Sequence, residues 1–139
     1  MGRLTHLLDT DMVVEVLRGR SPVVDAHLVA HEGSVAVSAI SISELRYGAQ
    51  GSSDPSRSIE AVNHLLAFIP VLDVDTESAI AAGDLRSALA ARGEPLGPYD
   101  LLIAGQAVAG GLTLATGNVQ EFRRVPGLSV ENWRRRAAN

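Results

Sequence analysis

The chain has 139 residues, 46% of them apolar, enough for one sizeable core and too few for two, so a single domain over residues 1–139 is expected. It contains no cysteine, which excludes disulfides, thiolate metal sites and cysteine nucleophiles, and nothing argues for an oxidising compartment. The net charge of −4 is uneven: residues 1–116 carry seven Arg against fourteen acids and residues 117–139 five Arg against two, with Lys absent throughout, so a nucleic-acid reading has to come from a site and not from bulk charge.

The N-terminus runs from Met1-Gly2-Arg3 into a short apolar stretch ending at Asp9, too short for a signal peptide and without a small-residue cleavage site. Residues 101–115 are the most apolar segment, but Gln106, Gly110, Gly111 and Thr113 interrupt them, and they fall short of the roughly 20 residues a membrane span needs. A cytoplasmic protein with no membrane contact is the expectation.

Short runs rich in Val, Leu and Ile alternate with longer stretches of helical period, the pattern of βαβ units and a parallel sheet. In chain order, residues 4–8 are expected as a strand, 11–17 as a short helix, and 23–30 as a second helix after the break at Gly19, Ser21 and Pro22. Residues 35–38 come next as a strand and 42–47 as a short helix stopped by Gly48; 51–55 are a surface loop. Ile59, Val62, Leu65, Leu66 and Ile69 mark one face of a further helix. Residues 71–72 are a short strand, 76–92 a helix closed by Gly93, 97–108 a helix opened by Gly97-Pro98, 112–115 a strand, and 128–130 a late edge strand.

Three carboxylates stand where a parallel α/β sheet places functional groups, at strand ends and the helix starts after them: Asp9, Glu44 and Asp100. Each also has a structural explanation. Ser41-Ile42-Ser43-Glu44 matches a capping box, Asp100 suits the positive end of a helix dipole, and Asp9 or Thr10 can cap the helix after them. Capping does not explain all three converging on one sheet edge. Two carboxylates about 4 Å apart repel by roughly 4 kcal/mol at an effective dielectric near 20, so such a cluster needs protons or a cation. With oxygen ligands only, the cation is a hard one, Mg²⁺ or Mn²⁺ in its place. Near a fourth strand end, Thr116 and Asn118 can cap the next turn, and Thr116 can also orient a carboxylate; Glu121 can simply be solvated. Asp11, Asp73, Asp75 and Asp84 read as first-turn, loop or solvated acids. His27 and His31 are i, i+4 with no third partner evident, so no histidine metal site is expected, and Arg134-Arg135-Arg136 reads as a solvated tail.

Four motifs in register then carry a resemblance: Leu7-Leu8-Asp9-Thr10, Ser38 through Ser43-Glu44-Leu45-Arg46-Tyr47-Gly48, Gly97-Pro98-Tyr99-Asp100-Leu101-Leu102-Ile103-Ala104, and Thr116-Gly117-Asn118 with Glu121-Phe122. Together they span almost the whole chain, which resembles a VapC-type PIN-domain ribonuclease, the toxin of a type II toxin-antitoxin pair. The resemblance implies a three-layer α/β/α domain with a central parallel sheet flanked by helices. It assigns Asp9, Glu44 and Asp100 to a Mg²⁺ site for RNA hydrolysis. It further implies a homodimer, inhibited by a small VapB-like antitoxin that inserts near the acidic groove and through which the complex binds operator DNA. Two positions depart from the family pattern: Asp11 stands where Asn is usual, and the variable fourth acid falls on Glu121 because Asn118 is neutral.

Two other readings compete. Leu8-Asp9-Thr10-Asp11-Met12-Val13 also resembles the nucleophile motif of haloacid-dehalogenase-type phosphatases, with Asp9 forming an aspartyl-phosphate, although the Lys that usually steadies the phosphoryl group is missing. The other is a non-catalytic PIN-fold binding module, against which the three intact acids weigh.

Overall fold

The computed structural model describes residues 3–137. Its elements are β1 (His6–Leu8), α1 (Thr10–Arg18), α2 (Pro22–Ala30), β2 (Val35–Ser38), α3 (Ala39–Gln50), α4 (Pro55–Leu66), β3 (Val71–Leu72), α5 (Thr76–Ala91), α6 (Pro98–Gly110), β4 (Thr113–Thr116), α7 (Val119–Phe122) and β5 (Ser129–Asn132). The strands form one five-stranded sheet in the order β3-β2-β1-β4-β5, and every neighbouring pair is parallel.

Side-chain alternation along the strands divides the interior into two cores. Leu7, Ala36 and Leu114 face one way, into a core closed by Leu85 and Leu89 of α5, Ile103 and Ala104 of α6 and Phe122 of α7. Leu8, Val35, Val37 and Ala115 face the other way, against Met12, Val13, Val24, Leu45 and Val62 from α1 to α4, with Trp133 beneath. Both faces of the central strands are covered, which is why β1 reads His-Leu-Leu with no exposed position. The result is the expected three-layer α/β/α arrangement. No helix among the described residues is long and apolar enough to cross a membrane.

The helix expected over 42–47 is longer at both ends. Ser38, still extended as the last residue of β2, is the cap: its Oγ accepts from the Ile40 N–H at 3.0 Å, so α3 begins at Ala39. Ser41 and Glu44 therefore lie inside the helix and form no capping box. Gly48 does not stop α3, because a mid-helix glycine costs only about 1 kcal/mol and the packing of α3 on α4 outweighs it. The next helix starts at Pro55, where the Asp54 side chain accepts from Arg57 N–H at 3.3 Å. Strands β4 and β5 each run one or two residues later than expected, set by the pairing of Thr113 with both His6 and Ser129 and of Thr116 with Asn132.

Helices α5 and α6 approach unusually closely at Gly105. A Cβ there would lie 2.7 Å from the Ser78 carbonyl oxygen and 2.8 Å from the Ala82 Cβ, so the closeness depends on a missing side chain. Gly105→Ala gains helix propensity, but the clash is with backbone, and overpacking of this kind costs about 1–3 kcal/mol. Urea unfolding should show a lower midpoint for the variant, and an unchanged or higher one would refute the packing account.

Candidate active site

The carboxyl ends of β1 and β4 lie side by side at the middle of the sheet, and the site is assembled from the turns and helices that leave them. Asp9 is the N-cap of α1: its Oδ1 accepts from Met12 N–H at 2.8 Å, while Oδ2 accepts from the Thr116 hydroxyl at the end of β4. Only 3% of Asp9 is exposed. The Thr116 oxygen in turn accepts from Asn118 N–H at 2.8 Å, so one hydroxyl shapes the turn into α7 and holds the carboxylate.

Each of the other acids has its own tether. Glu44 accepts from the Thr10 hydroxyl at 2.6 Å, and Thr10 is 2.8 Å from Ser41, which ties the second turn of α3 to the first residue of α1. Asp100 lies in the first turn of α6, which opens with Gly97 as cap and Pro98 in its first turn. Gln106, which looked in the sequence like a break in an apolar run, clamps that helix to the sheet: it accepts from Ser38 Oγ at 2.5 Å and donates to the Leu72 carbonyl at 2.9 Å. Asn118 donates its side-chain amide to Glu121 at 2.5 Å, so the two candidates for the fourth position act as a pair.

Electrostatics link the acids into one group. Burial pushes Asp9 from an ordinary 3.8 up to about 6, partly offset by the Thr116 and Met12 hydrogen bonds and reinforced by Asp11 and Asp100. Asp100 is likewise pushed up to about 6, first by burial and then by the charges of Glu121, Glu44 and Asp11. The three expected acids and Glu121 are thus linked through Asp100, which acts on Asp9 and is acted on by Glu44 and Glu121. Asp11, which by sequence could either begin the helix or alter the metal's surroundings, acts on both Asp9 and Asp100. Among the described residues, Asp9, Glu44 and Asp100 do not form a trio with one oxygen from each all within 4.8 Å of one another. Oxygen donors alone, raised carboxylate pKa values and several acids in mutual range fit a hard divalent cation.

Other expectations are corrected. Arg134 is not a free tail residue: its Nε donates to Glu15 at 2.8 Å, and its guanidinium lies so close to Gly117 that a Cβ there would collide with it. The Arg135 carbonyl accepts from His27 at 2.5 Å. On the helical layer opposite α5 and α6, toward β5, His31 gathers not with His27, its i, i+4 neighbour, but with His6 and Glu131.

Comparison with known proteins agrees with this fold. The PIN domain family matches residues 6–128. The chain is 36% identical to the tRNA(fMet)-specific endonuclease VapC of Salmonella typhimurium, over 94% of this chain and 98% of that protein, and 34% identical to ribonuclease VapC2 of Haemophilus influenzae over the same shares. Among solved structures, DNA-bound VapBC from Salmonella typhimurium superposes with a TM-score of 0.90 at 36% identity, covering 94% of this chain and 98% of that one. The chain belongs to the VapC-type ribonuclease toxins of the PIN-domain family.

The raised carboxylates give a pH dependence of definite sign. A group whose folded pKa lies above its unfolded value binds more protons when folded, so its stabilisation is complete at low pH and is lost as pH rises from 3.8 through about 6. Thermal melts without divalent ions should therefore show wild type losing stability over that range relative to Asp9→Asn/Asp100→Asn, with Mg²⁺ restoring it above pH 7. Parallel wild-type and variant profiles would contradict the assignment.

Proposed function

We propose that the protein is a Mg²⁺-dependent endoribonuclease toxin, with Mn²⁺ able to substitute, whose ion is held by Asp9 and Asp100 with Glu44. The observation that carries this is the buried, doubly tethered Asp9 at the sheet edge, in electrostatic contact with Asp100. When bound, a divalent ion of this kind lowers the pKa of water and offsets charge developing on a phosphoryl group.

The chain's own contribution is orientation. Thr116 and the first turn of α1 fix Asp9, and Thr10 fixes one oxygen of Glu44, leaving the other to orient an attacking water. Asn118 steadies Glu121 at the rim. In-line attack by that water at phosphorus leaves a 5′-phosphate and a 3′-hydroxyl, and no 2′-hydroxyl is consumed. The preference for RNA over DNA rests on the ribonuclease relatives.

Nothing in the geometry favours the phosphatase reading. Both oxygens of Asp9 are engaged and the residue is 3% exposed, which suits a fixed ligand better than a nucleophile that must reach a substrate phosphorus.

Regulation by a VapB-like antitoxin is inferred from the same relatives, whose solved complexes include VapBC bound to DNA. An apolar groove lined by Val14, Leu17, Leu45 and Ala49 runs directly beside Thr10 and Glu44, so a peptide seated there reaches the acids. A cytoplasmic homodimer, contacting operator DNA only through the antitoxin, completes the proposal.

The test is cleavage of total RNA by the antitoxin-free protein. Mg²⁺ should support cleavage and EDTA abolish it. Asp9→Ala and Asp100→Asn should each lose at least about 100-fold, the upper range for disturbing residues around a metal, while Asp100→Asn stays folded. A folded Asp100→Asn protein of wild-type activity would refute the assignment. Calorimetry showing no Mg²⁺ or Mn²⁺ binding would instead support a non-catalytic binding module.

A further inference from the structure

A second cluster of metal-ligand type lies away from the carboxylate site. His6 at the start of β1, His31 at the C-cap of α2 and Glu131 in β5 each bring one donor atom within 4.8 Å of the other two. His6 Nε2 is 3.0 Å from Glu131 Oε1, and the His6 and His31 rings are 4.2 Å apart, centroid to centroid. We propose that His6, His31 and Glu131 form a binding site for a borderline transition-metal ion of the Zn²⁺ class, distinct from the hard-ion carboxylates.

The arrangement around these side chains is what such a site requires. His6 Nδ1 is 2.7 Å from the Thr5 hydroxyl, which can itself donate to the Ser34 carbonyl at 3.4 Å. In the structure an Nε2–H donates to Glu131; with Thr5 oriented toward Ser34, the tautomer protonated at Nδ1 is also open to His6, and binding an ion would select it and release Nε2 as a ligand. Glu131 is fixed by the Trp133 indole N–H at 3.1 Å, on the same oxygen that faces His6, so its second oxygen is available. His31 stacks on Trp133 with the planes 14° apart, which sets its ring orientation.

Two imidazoles and one carboxylate are a donor set suited to tetrahedral zinc, with water in the fourth position. In such a site neighbouring donors sit roughly 3.3 Å apart, so a spread of 4.8 Å or less closes by side-chain adjustment alone. The ion would link β1, the end of α2 and edge strand β5, which already meet on the α1 to α4 face around Trp133. Because the Trp133 backbone N–H also donates to the Thr116 carbonyl at 3.2 Å, the ion would brace the strand end on which Asp9 depends.

Trp133 is the only tryptophan, and its ring centroid lies 5.6 Å from those of both His6 and His31, so it reports directly on the site. The test uses the full chain carrying Asp9→Asn/Asp100→Asn, stripped with chelator and titrated with Co²⁺ in excess Mg²⁺. Expected are saturable quenching of Trp133 fluorescence, the intense visible absorption of tetrahedral cobalt at one ion per chain, and displacement by Zn²⁺. Glu131→Gln and His31→Gln, each at a partly or wholly exposed position, should weaken Co²⁺ at least about tenfold while keeping the wild-type circular dichroism. Absence of the tetrahedral band in the parent, or unchanged affinity in a folded Glu131→Gln or His31→Gln protein, would overturn the proposal.

Discussion

A single carboxylate joins the sheet, the first helix and the chemistry. Asp9 caps α1 through one oxygen and takes the Thr116 hydroxyl on the other, so the ends of β1 and β4 and the start of α1 meet at a buried negative charge. Burial withdraws that charge from water, no cationic side chain among the described residues offsets it, and the cost appears as a carboxyl pushed up to about 6. A fold selected for stability alone would place an amide or an alcohol there. Under the proposed function a divalent ion would offset this charge, together with those of the converging acids Asp11, Glu44, Asp100 and Glu121.

The scaffold is organised around keeping those acids in place while they repel. Thr10 holds Glu44, Asn118 holds Glu121, and Gln106 anchors α6 to the β2 and β3 strand ends so that Asp100 stays at the rim. These neutral hydrogen-bonding groups fix direction without adding positive charge that would compete with a cation. Gly105 contributes from a distance, letting α6 lie close against α5.

Much of this was legible in the sequence because it depends on local periodicity. The apolar runs before Asp9 and around residues 35–38 and 112–116 identify parallel strands, and the acids beyond them lie where such strands end. Other features depend on contacts that no local pattern encodes. The cap of α3 is Ser38 and not Ser41, because the helix begins one turn earlier than the Ser-x-x-Glu spacing suggests. Asp11 joins the acidic field through the direction in which α1 leaves the sheet, and Arg134 is drawn back to Glu15 by the return of β5. The histidine cluster was invisible for the same reason: His6, His31 and Glu131 belong to three distant segments, and only the strand order β1-β4-β5 brings the first and last together.

The central claim is that the gathered carboxylates exist to hold a hard ion. Crystals grown with Mn²⁺ and measured for anomalous scattering test it most directly. The account predicts a peak in contact with both Asp9 and Asp100 that disappears in Asp9→Asn crystals. Ordered carboxylates with no peak between them at saturating Mn²⁺ would contradict it.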